Sequence, residues 1–144
     1  MEIIKMAQFK KYSVEEIFNI MEQLYDEKNG CQWIKDQDFK TIAKYTIEEA
    51  LEVVDAVKRE NIVDLKDELG DLLFQIVFYS FIAQKENKFM FNDIVNAICD
   101  KLKRRNTHIF DTKIAEQYKL AEDKVAFASE QWQKEKEKEK ESKS

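Results

Sequence analysis

Proline is absent from this chain of 144 residues, and glycine occurs only twice, at Gly30 and Gly70. A many-stranded sheet depends on tight turns that favour these two residue types, so such sparse turn signals indicate helices. The length fits a single domain, and with 44% hydrophobic residues the chain can bury a sizeable core. We therefore predict an all-α fold, an antiparallel bundle of four to five helices.

Hydrophobic periodicity places the helices along the chain. Their expected bounds are about residues 14–27, 39–59, 63–85 and 93–105, with helical character again from 113 to about 140. Ser13 and Glu16 form a capping-box pattern before the first helix, and Asn92 is a candidate N-cap for the fourth. We expect one helical domain over residues 1–130, followed by a charged helix end or tail over 131–144.

Net charge, apolar segments and cysteine content indicate which partners and which cellular compartment to expect. A net charge of −5 and a pI near 5.1 argue against a nucleic-acid partner. The N-terminal residues lack the apolar region of a signal peptide, and the longest apolar stretch is too short to span a bilayer. Cys31 and Cys99 are far apart and predict reduced thiols. These features together predict a cytoplasmic protein with no membrane partner.

Two acidic clusters lie at mirror positions about a predicted turn near residue 60: Glu48, Glu49 and Glu52 before it, and Glu68 and Asp71 after it. If the second and third helices form an antiparallel pair, Glu52 lies beside Glu68 and Glu49 beside Asp71. Converging carboxylates repel one another unless a cation lies between them. Mg²⁺ prefers oxygen ligands and often binds substrate phosphates as well. The spacing therefore predicts a divalent-metal site between two helices.

Both clusters also have simpler interpretations. The first lies opposite an apolar stripe on its helix and could be a solvated face. That stripe comprises Ala43, Ile47, Ala50, Leu51, Val54 and Val57. The second cluster interrupts a strongly apolar helix, where buried unpaired carboxylates are costly, and this favours the metal site. A di-iron bundle needs two Glu-x-x-His motifs, which a single histidine, His108, excludes.

A basic cluster closes the fourth helix. Lys101 and Arg105 are spaced i,i+4 and share one helix face. They could simply complement the dipole at the end of that helix, or they could bind phosphate.

Three segments resemble the MazG-type nucleoside triphosphate pyrophosphohydrolases. The sequence CQWIKDQDFKTIAKYTIEEALEVVDAV is similar to the family's CPWD-x-x-QT…Y-x-x-EEA-x-E segment. The sequence DLKDELGDLLFQIVFYSFIA is similar to ELGDLLFQVVF, and FNDIVNAICDKLKRRNTHIF to F-x-x-x-DV…KL-x-RRHPHVF. The resemblance covers about residues 24–110 and extends towards residue 136.

The resemblance implies an all-α homo-oligomer, most simply a dimer, that hydrolyses nucleoside triphosphates to monophosphates and pyrophosphate with Mg²⁺ or Mn²⁺. It implies that the metal ligands are Glu49, Glu52, Glu68 and Asp71, with Glu48 as the first acid of the motif. Glu49 or Glu52 is the candidate base that activates water, so both are candidate catalytic residues.

The substrate-binding residues are also implied by the resemblance. Lys101 and Arg105 match basic positions that contact phosphates and are counted as catalytic as well. Trp132 and Lys136 resemble a Trp-x-x-x-Lys element of the nucleotide pocket, and Trp33 matches a tryptophan near the base.

Four positions depart from the family pattern. Gln32 stands where the family has proline, and Ile34 where it has aspartate. Asn106 and Thr107 replace the first histidine and the proline of the HPH element. All four lie in expected loops, away from the acids.

Two other functions remain open. One is a narrower enzyme of the same superfold, acting on dUTP or phosphoribosyl-ATP. The other is a non-catalytic helical module that only dimerises or binds a partner. The strongly apolar segment 72–83, with Phe78 and Phe81, predicts an oligomer interface in either case.

Overall fold

The structure is a computed structural model that describes residues 11–143. Eight helices are found in this range, and no strand. They are α1 (Val14–Leu24), α2 (Gln32–Lys35), α3 (Phe39–Lys58), α4 (Ile62–Lys85), α5 (Phe91–Arg105), α6 (Thr107–Phe110), α7 (Thr112–Leu120) and α8 (Lys124–Lys143). The all-α prediction is confirmed. Residues 106–112, which we expected to form a loop, contain the single-turn helix α6.

The chain divides into two compact units, with the boundary between Phe91 and Asn92. The expectation of one domain over residues 1–130 stays a prediction. Residues 1–10, on which the expected lack of a signal peptide rests, lie outside the described residues. Within residues 11–143, no helix is long and apolar enough to cross a membrane.

The first unit is built on an antiparallel hairpin of α3 and α4, against which α1 also packs. Its hydrophobic core is formed by Met21, Ile34, Ile42, Val77, Phe78 and Ile82. Ile34 is buried in this core, so the position where the related family has aspartate is here filled by an apolar side chain.

The turn between α3 and α4 lies where the sequence predicted it. Glu60 adopts the left-handed conformation, with φ of 53°, as residues just after a helix often do. The Asn61 side chain accepts a hydrogen bond from the Asp64 amide and caps α4. Arg59 bridges the helices, with nitrogens 2.7 Å from Asp55 Oδ2 and 2.9 Å from Asp64 Oδ2.

The apolar stripe of α3 is not in the core of the chain. Ile47, Leu51, Val54 and Val57 are all exposed. The face that packs towards α4 instead contains Ile42 and Ala56, both buried, and the half-buried Thr46 and Glu49. The interpretation of the whole first acidic cluster as a solvated face is therefore wrong for Glu49.

Phe78 does not lie at a free surface either. It is 1% exposed and packs inside the first unit, with its ring 6.4 Å from that of Tyr25. Its assignment to an oligomer interface is therefore wrong. Phe81 is half-buried and packs on the Tyr25 ring at 5.5 Å.

Two local interactions predicted from the sequence are also absent. Helix α1 begins after Ser13 as expected, but the Ser13 side chain makes no capping hydrogen bond. A capping box forms instead at α3, between Asp38 and Thr41. Helix α5 begins at Phe91, two residues before the start at Asp93 that an Asn92 cap requires.

The second unit contains the rest of α5 together with α6, α7 and α8, the last three in mutual contact. His108 is buried in it, with its ring edge-on to Tyr118 at 4.9 Å. The Tyr118 ring in turn lies 5.8 Å from Phe127 of α8. These contacts give His108 a place in the packing of the unit.

Candidate metal centre and phosphate-binding residues

The α3–α4 hairpin brings acids from both helices together. Glu49, Glu68 and Asp71 each offer a carboxylate oxygen, and these atoms lie within 4.8 Å of one another. The antiparallel pairing about residue 60 produces this convergence, as the mirrored positions predicted. Glu49 and Glu68 are half-buried and Asp71 is exposed, so the cluster is open to solvent on one side.

Burial and mutual repulsion both act on these carboxyl groups. Burial is the main cause that raises the pKa of Glu49, and the nearby charges of Asp71, Glu52 and Glu48 raise it further. Hydrogen bonding to Glu52 is the main cause that raises the pKa of Glu68, followed by burial and the charges of the other acids. The fold therefore brings several negative charges together, and among the described residues no lysine or arginine side chain pairs with them.

One buried oxygen of this cluster has no hydrogen-bond partner. It is Glu49 Oε2, and buried carboxylate oxygens normally accept hydrogen bonds. A cation bound between α3 and α4 would satisfy it. Three carboxylates from two helices provide the hard oxygen ligands that Mg²⁺ and Mn²⁺ take. The residues present therefore fit a divalent metal.

The other two predicted acids lie at the edge of the cluster. Glu52 is exposed, and it is the main cause of the raised pKa of Glu68, so these two acids are neighbours across the hairpin as predicted. Glu48 is also exposed, and its charge acts on Glu49. Neither residue offers an oxygen to the three-carboxylate group.

A polar network lies one helical turn behind the acids. Thr46 Oγ1 lies 3.0 Å from Tyr79 Oη and donates to Gln75 Oε1 at 3.4 Å. Gln75 is buried and follows Asp71 by four residues, so both lie on one face of α4. Sequence analysis missed Thr46 and Tyr79. The signal for Thr46 was its position three residues before Glu49 on the same face.

Trp33 lies in the first unit, on α2. It is half exposed, and its ring packs edge-on to Tyr45 at 5.8 Å. Tyr45 precedes Glu49 by one helical turn on α3. An accessible aromatic surface thus lies on the same unit as the acids.

The second unit brings several of the predicted phosphate-binding and nucleotide-binding residues together. The Arg105 guanidinium lies over the Trp132 ring, 5.3 Å from its centre. Lys101 and Arg105 line one cleft, as their i,i+4 spacing predicted. Lys136 is half-buried one turn after Trp132 on α8. Sequence analysis missed Glu139, which pairs with both Arg104 and Arg105.

The fold and the site define an all-α protein in which the carboxylates of two antiparallel helices converge. Residues 37–110 match the model of the MazG nucleotide pyrophosphohydrolase domain, and this segment contains all five candidate acids, Lys101 and Arg105. The chain belongs to this family.

Curated relatives carry the same segment. The chain is 54% identical over 103 residues to the nucleoside triphosphate pyrophosphohydrolase of Escherichia coli K12, an alignment that covers 72% of this chain and 39% of that protein. It is 37% identical over 109 residues to the nucleoside triphosphate pyrophosphohydrolase/pyrophosphatase MazG of Thermotoga maritima, covering 76% of this chain and 42% of the relative. The chain thus spans about two fifths of the length of these relatives.

A solved structure has the same fold. The crystal structure of a mazG-related protein from Thermotoga maritima superposes with a TM-score of 0.68 at 21% identity. The alignment covers 86% of this chain and 99% of that one. At this identity the likeness concerns the fold alone.

Proposed function

We propose that this chain is a Mg²⁺-dependent nucleoside triphosphate pyrophosphohydrolase, which converts an NTP or dNTP to the monophosphate and pyrophosphate. The observation that carries the proposal is the convergence of Glu49, Glu68 and Asp71 within the family-matching segment. The names of the curated relatives support the reaction class. Mn²⁺ is an alternative cation with the same ligand preference.

Glu49, Glu68 and Asp71 are the proposed ligands, with Glu52 and Glu48 at the edge of the site. When bound, a divalent cation supplies Lewis-acid polarisation of a phosphoryl oxygen. The half-buried Glu49, whose pKa burial raises, is suited to accept a proton from the attacking water. Glu52, held next to Glu68, is the second candidate for this base.

In this proposal, basic residues of the second unit neutralise the negative charge of the substrate. Lys101 and Arg105 bind the phosphate chain and stabilise the departing pyrophosphate through charge-assisted hydrogen bonds. Trp132 and Lys136 contribute to the nucleotide pocket. Trp33 offers a half-exposed ring for the base.

The proposal is tested by incubating the chain with each NTP and dNTP and Mg²⁺ and measuring monophosphate and pyrophosphate. We expect both products in equal amounts, and we expect Asp71→Asn to abolish their formation. Asp67→Asn is the matched control, because Asp67 lies one turn earlier on α4, is exposed and, within residues 11–143, pairs only with Lys66. Accumulation of nucleoside diphosphate with inorganic phosphate would overturn the proposed reaction.

The same screen separates the alternatives. Activity confined to dUTP would identify a narrower enzyme of the same superfold. A failure to bind Mg²⁺ in isothermal titration, together with no turnover, would favour a non-catalytic helical module.

We also propose that the chain assembles as a homodimer, most simply with C2 symmetry. Both helices of the hairpin carry large apolar side chains that the rest of the chain leaves exposed. On α3 these include Ile47, Leu51 and Val54, and on α4 they include Leu69, Leu73 and Ile76. Exposed apolar surface of this extent favours association.

A further inference from the structure

A basic cleft in the second unit already holds a carboxylate from its own last helix. The cleft has a volume of about 530 Å³ and lies between the end of α5 and the end of α8. Its positive side chains are Lys101, Arg104, Arg105, Lys138 and Lys143. Of the residues that the structure describes, two glutamates line it, Glu135 and Glu139, so this lining has an excess of three positive charges in a chain whose net charge is −5.

Glu139 is the carboxylate at the centre of this cleft. Its Oε2 lies 2.7 Å from Arg105 Nη2, and its Oε1 accepts from Arg105 Nε at 3.2 Å. The same Oε1 lies 2.8 Å from Arg104 Nη2. The side chains of Glu139 and Arg105 are only 17% and 19% exposed. Hydrogen bonds from Arg105 and then Arg104 lower the pKa of Glu139 to about 2, so this carboxylate is charged at neutral pH.

This contact uses the donors that a phosphate would use. A guanidinium presents two parallel N–H groups that match a carboxylate or a phosphate equally well. Glu139 therefore occupies the position on Arg105 where two phosphoryl oxygens would bind. The Trp132 ring covers the face of the same guanidinium, so its edge is the part that a ligand can reach.

Two other positively charged side chains of the cleft form no ion pair with Glu139. Among the described residues, Lys101 has no ion-pair partner, and Lys138 pairs with Glu135 on its own helix at 2.7 Å. A polyphosphate brings several negative charges and would contact all of them. Glu139 brings one charge and contacts only Arg104 and Arg105 among the cations of the cleft.

We propose that the cleft binds the polyphosphate chain of the substrate, with Arg104 and Lys138 acting beside Lys101 and Arg105, and that Glu139 is an internal competitor that the polyphosphate displaces. The identity of the ligand rests on the proposed function. The alternative role of Glu139 is to fasten α8 to α5, in which case its removal would weaken the cleft.

The two roles predict opposite effects on anion binding. Isothermal titration of the full chain with inorganic tripolyphosphate in EDTA measures the cleft without the metal site. We expect Glu139→Gln to tighten binding about fivefold, the equivalent of about 1 kcal/mol. Glu137→Gln makes the same charge change two residues earlier on α8, at an exposed position, and should change affinity far less.

A second pair of variants tests the cleft itself. Lys138→Gln should weaken tripolyphosphate binding severalfold, whereas Lys134→Gln should not. Lys134 also lies on α8 and pairs with a glutamate of that helix, Glu130, but it does not line the cleft. Glu139→Ala, which keeps a strong helix former, repeats the first test if the glutamine variant loses helicity in circular dichroism.

The result of these binding experiments can be distinguished from a failure of the proposed hydrolysis reaction. Unchanged or weaker tripolyphosphate binding in both Glu139 variants would overturn the internal competitor, even if nucleotides are hydrolysed. Tighter binding in these variants would support it, even if no nucleotide is hydrolysed.

Discussion

Glu52 and Glu68 are neighbours across the α3–α4 hairpin, and the interaction with Glu52 is the main cause that raises the pKa of Glu68. Two neighbouring carboxyl groups can hydrogen bond to each other only while one of them is protonated. When both are charged, they repel each other. Without a cation, the hairpin therefore holds acids that oppose its own folding at neutral pH. This conflict gives the candidate site its first testable consequence.

Asp71→Asn should raise the stability of the metal-free chain. The mutation removes one of the charges that raise the pKa values of Glu49 and Glu68. A carboxyl group whose pKa is raised by folding destabilises the native state above that pKa, so the gain should be largest at pH 8 and should shrink as the pH falls. Thermal melting in EDTA measures this difference, with Asp67→Asn as the control.

A divalent cation should reverse the order of stability of wild type and Asp71→Asn. A ligand that binds only the native state at a hundred times its Kd stabilises it by about 2.7 kcal/mol. The wild-type chain should therefore melt above Asp71→Asn in excess Mg²⁺. Equal shifts of both proteins with Mg²⁺ would contradict a metal site at Asp71.

The two glycines should respond in opposite ways to alanine. A Cβ at Gly70 would meet no atom within 4 Å, so Gly70→Ala on α4 should stabilise the chain by about 0.4–1 kcal/mol. A Cβ at Gly30 would lie 2.4 Å from the Asp26 carbonyl oxygen and 2.5 Å from that of Leu24. Gly30→Ala should cost about 1–3 kcal/mol, because backbone atoms must move.

Urea denaturation of both variants measures these changes. A loss of stability in Gly70→Ala would mean that another chain approaches this face of α4 closely. In that case the loss should depend on protein concentration.

Leu51→Glu should break the proposed dimer. Leu51 is 62% exposed on α3, so glutamate there does not disturb the core of the chain. Light scattering should give twice the chain mass of 17.2 kDa for the wild type and the single mass for the variant. Leu120→Glu is the control, since Leu120 is 86% exposed on α7. A wild-type protein of single mass at micromolar concentration would contradict the dimer.

The sequence predicted the hairpin and the acid pairing because both depend on local signals. Helix periodicity fixed α3 and α4, and the distance of each acid from residue 60 then determined which acids meet. The burial of the α3 faces could not be predicted in this way. A single helix shows an apolar stripe, but whether Leu51 packs inside its own chain or is exposed depends on what the other helices cover.

The contact of Glu139 with Arg104 and Arg105 was missed for a related reason. The alternating charges at the end of the chain give no periodic apolar face, so α8 appeared to be a solvated helix end. Its position depends on single long-range contacts such as Arg105 with Trp132, which no spacing in the sequence reveals. Trp132 and Lys136 were found only through the resemblance to the family.

The ion pair of Glu139 should make part of the stability of the chain depend on pH. Folding lowers the pKa of this carboxyl to about 2, whereas in the unfolded chain it has its ordinary value of 4.5. A group whose pKa is lowered by folding stabilises the native state above its unfolded pKa, and this contribution disappears as the pH falls towards its folded pKa. The urea concentration at the midpoint of unfolding should therefore be higher for wild type than for Glu139→Gln at pH 6. The difference between the two midpoints should disappear between about pH 4.5 and pH 2. Glu137→Gln should show no such closing gap, and a difference for Glu139→Gln that stays constant from pH 6 to pH 3 would argue against a charged Glu139 in the folded chain.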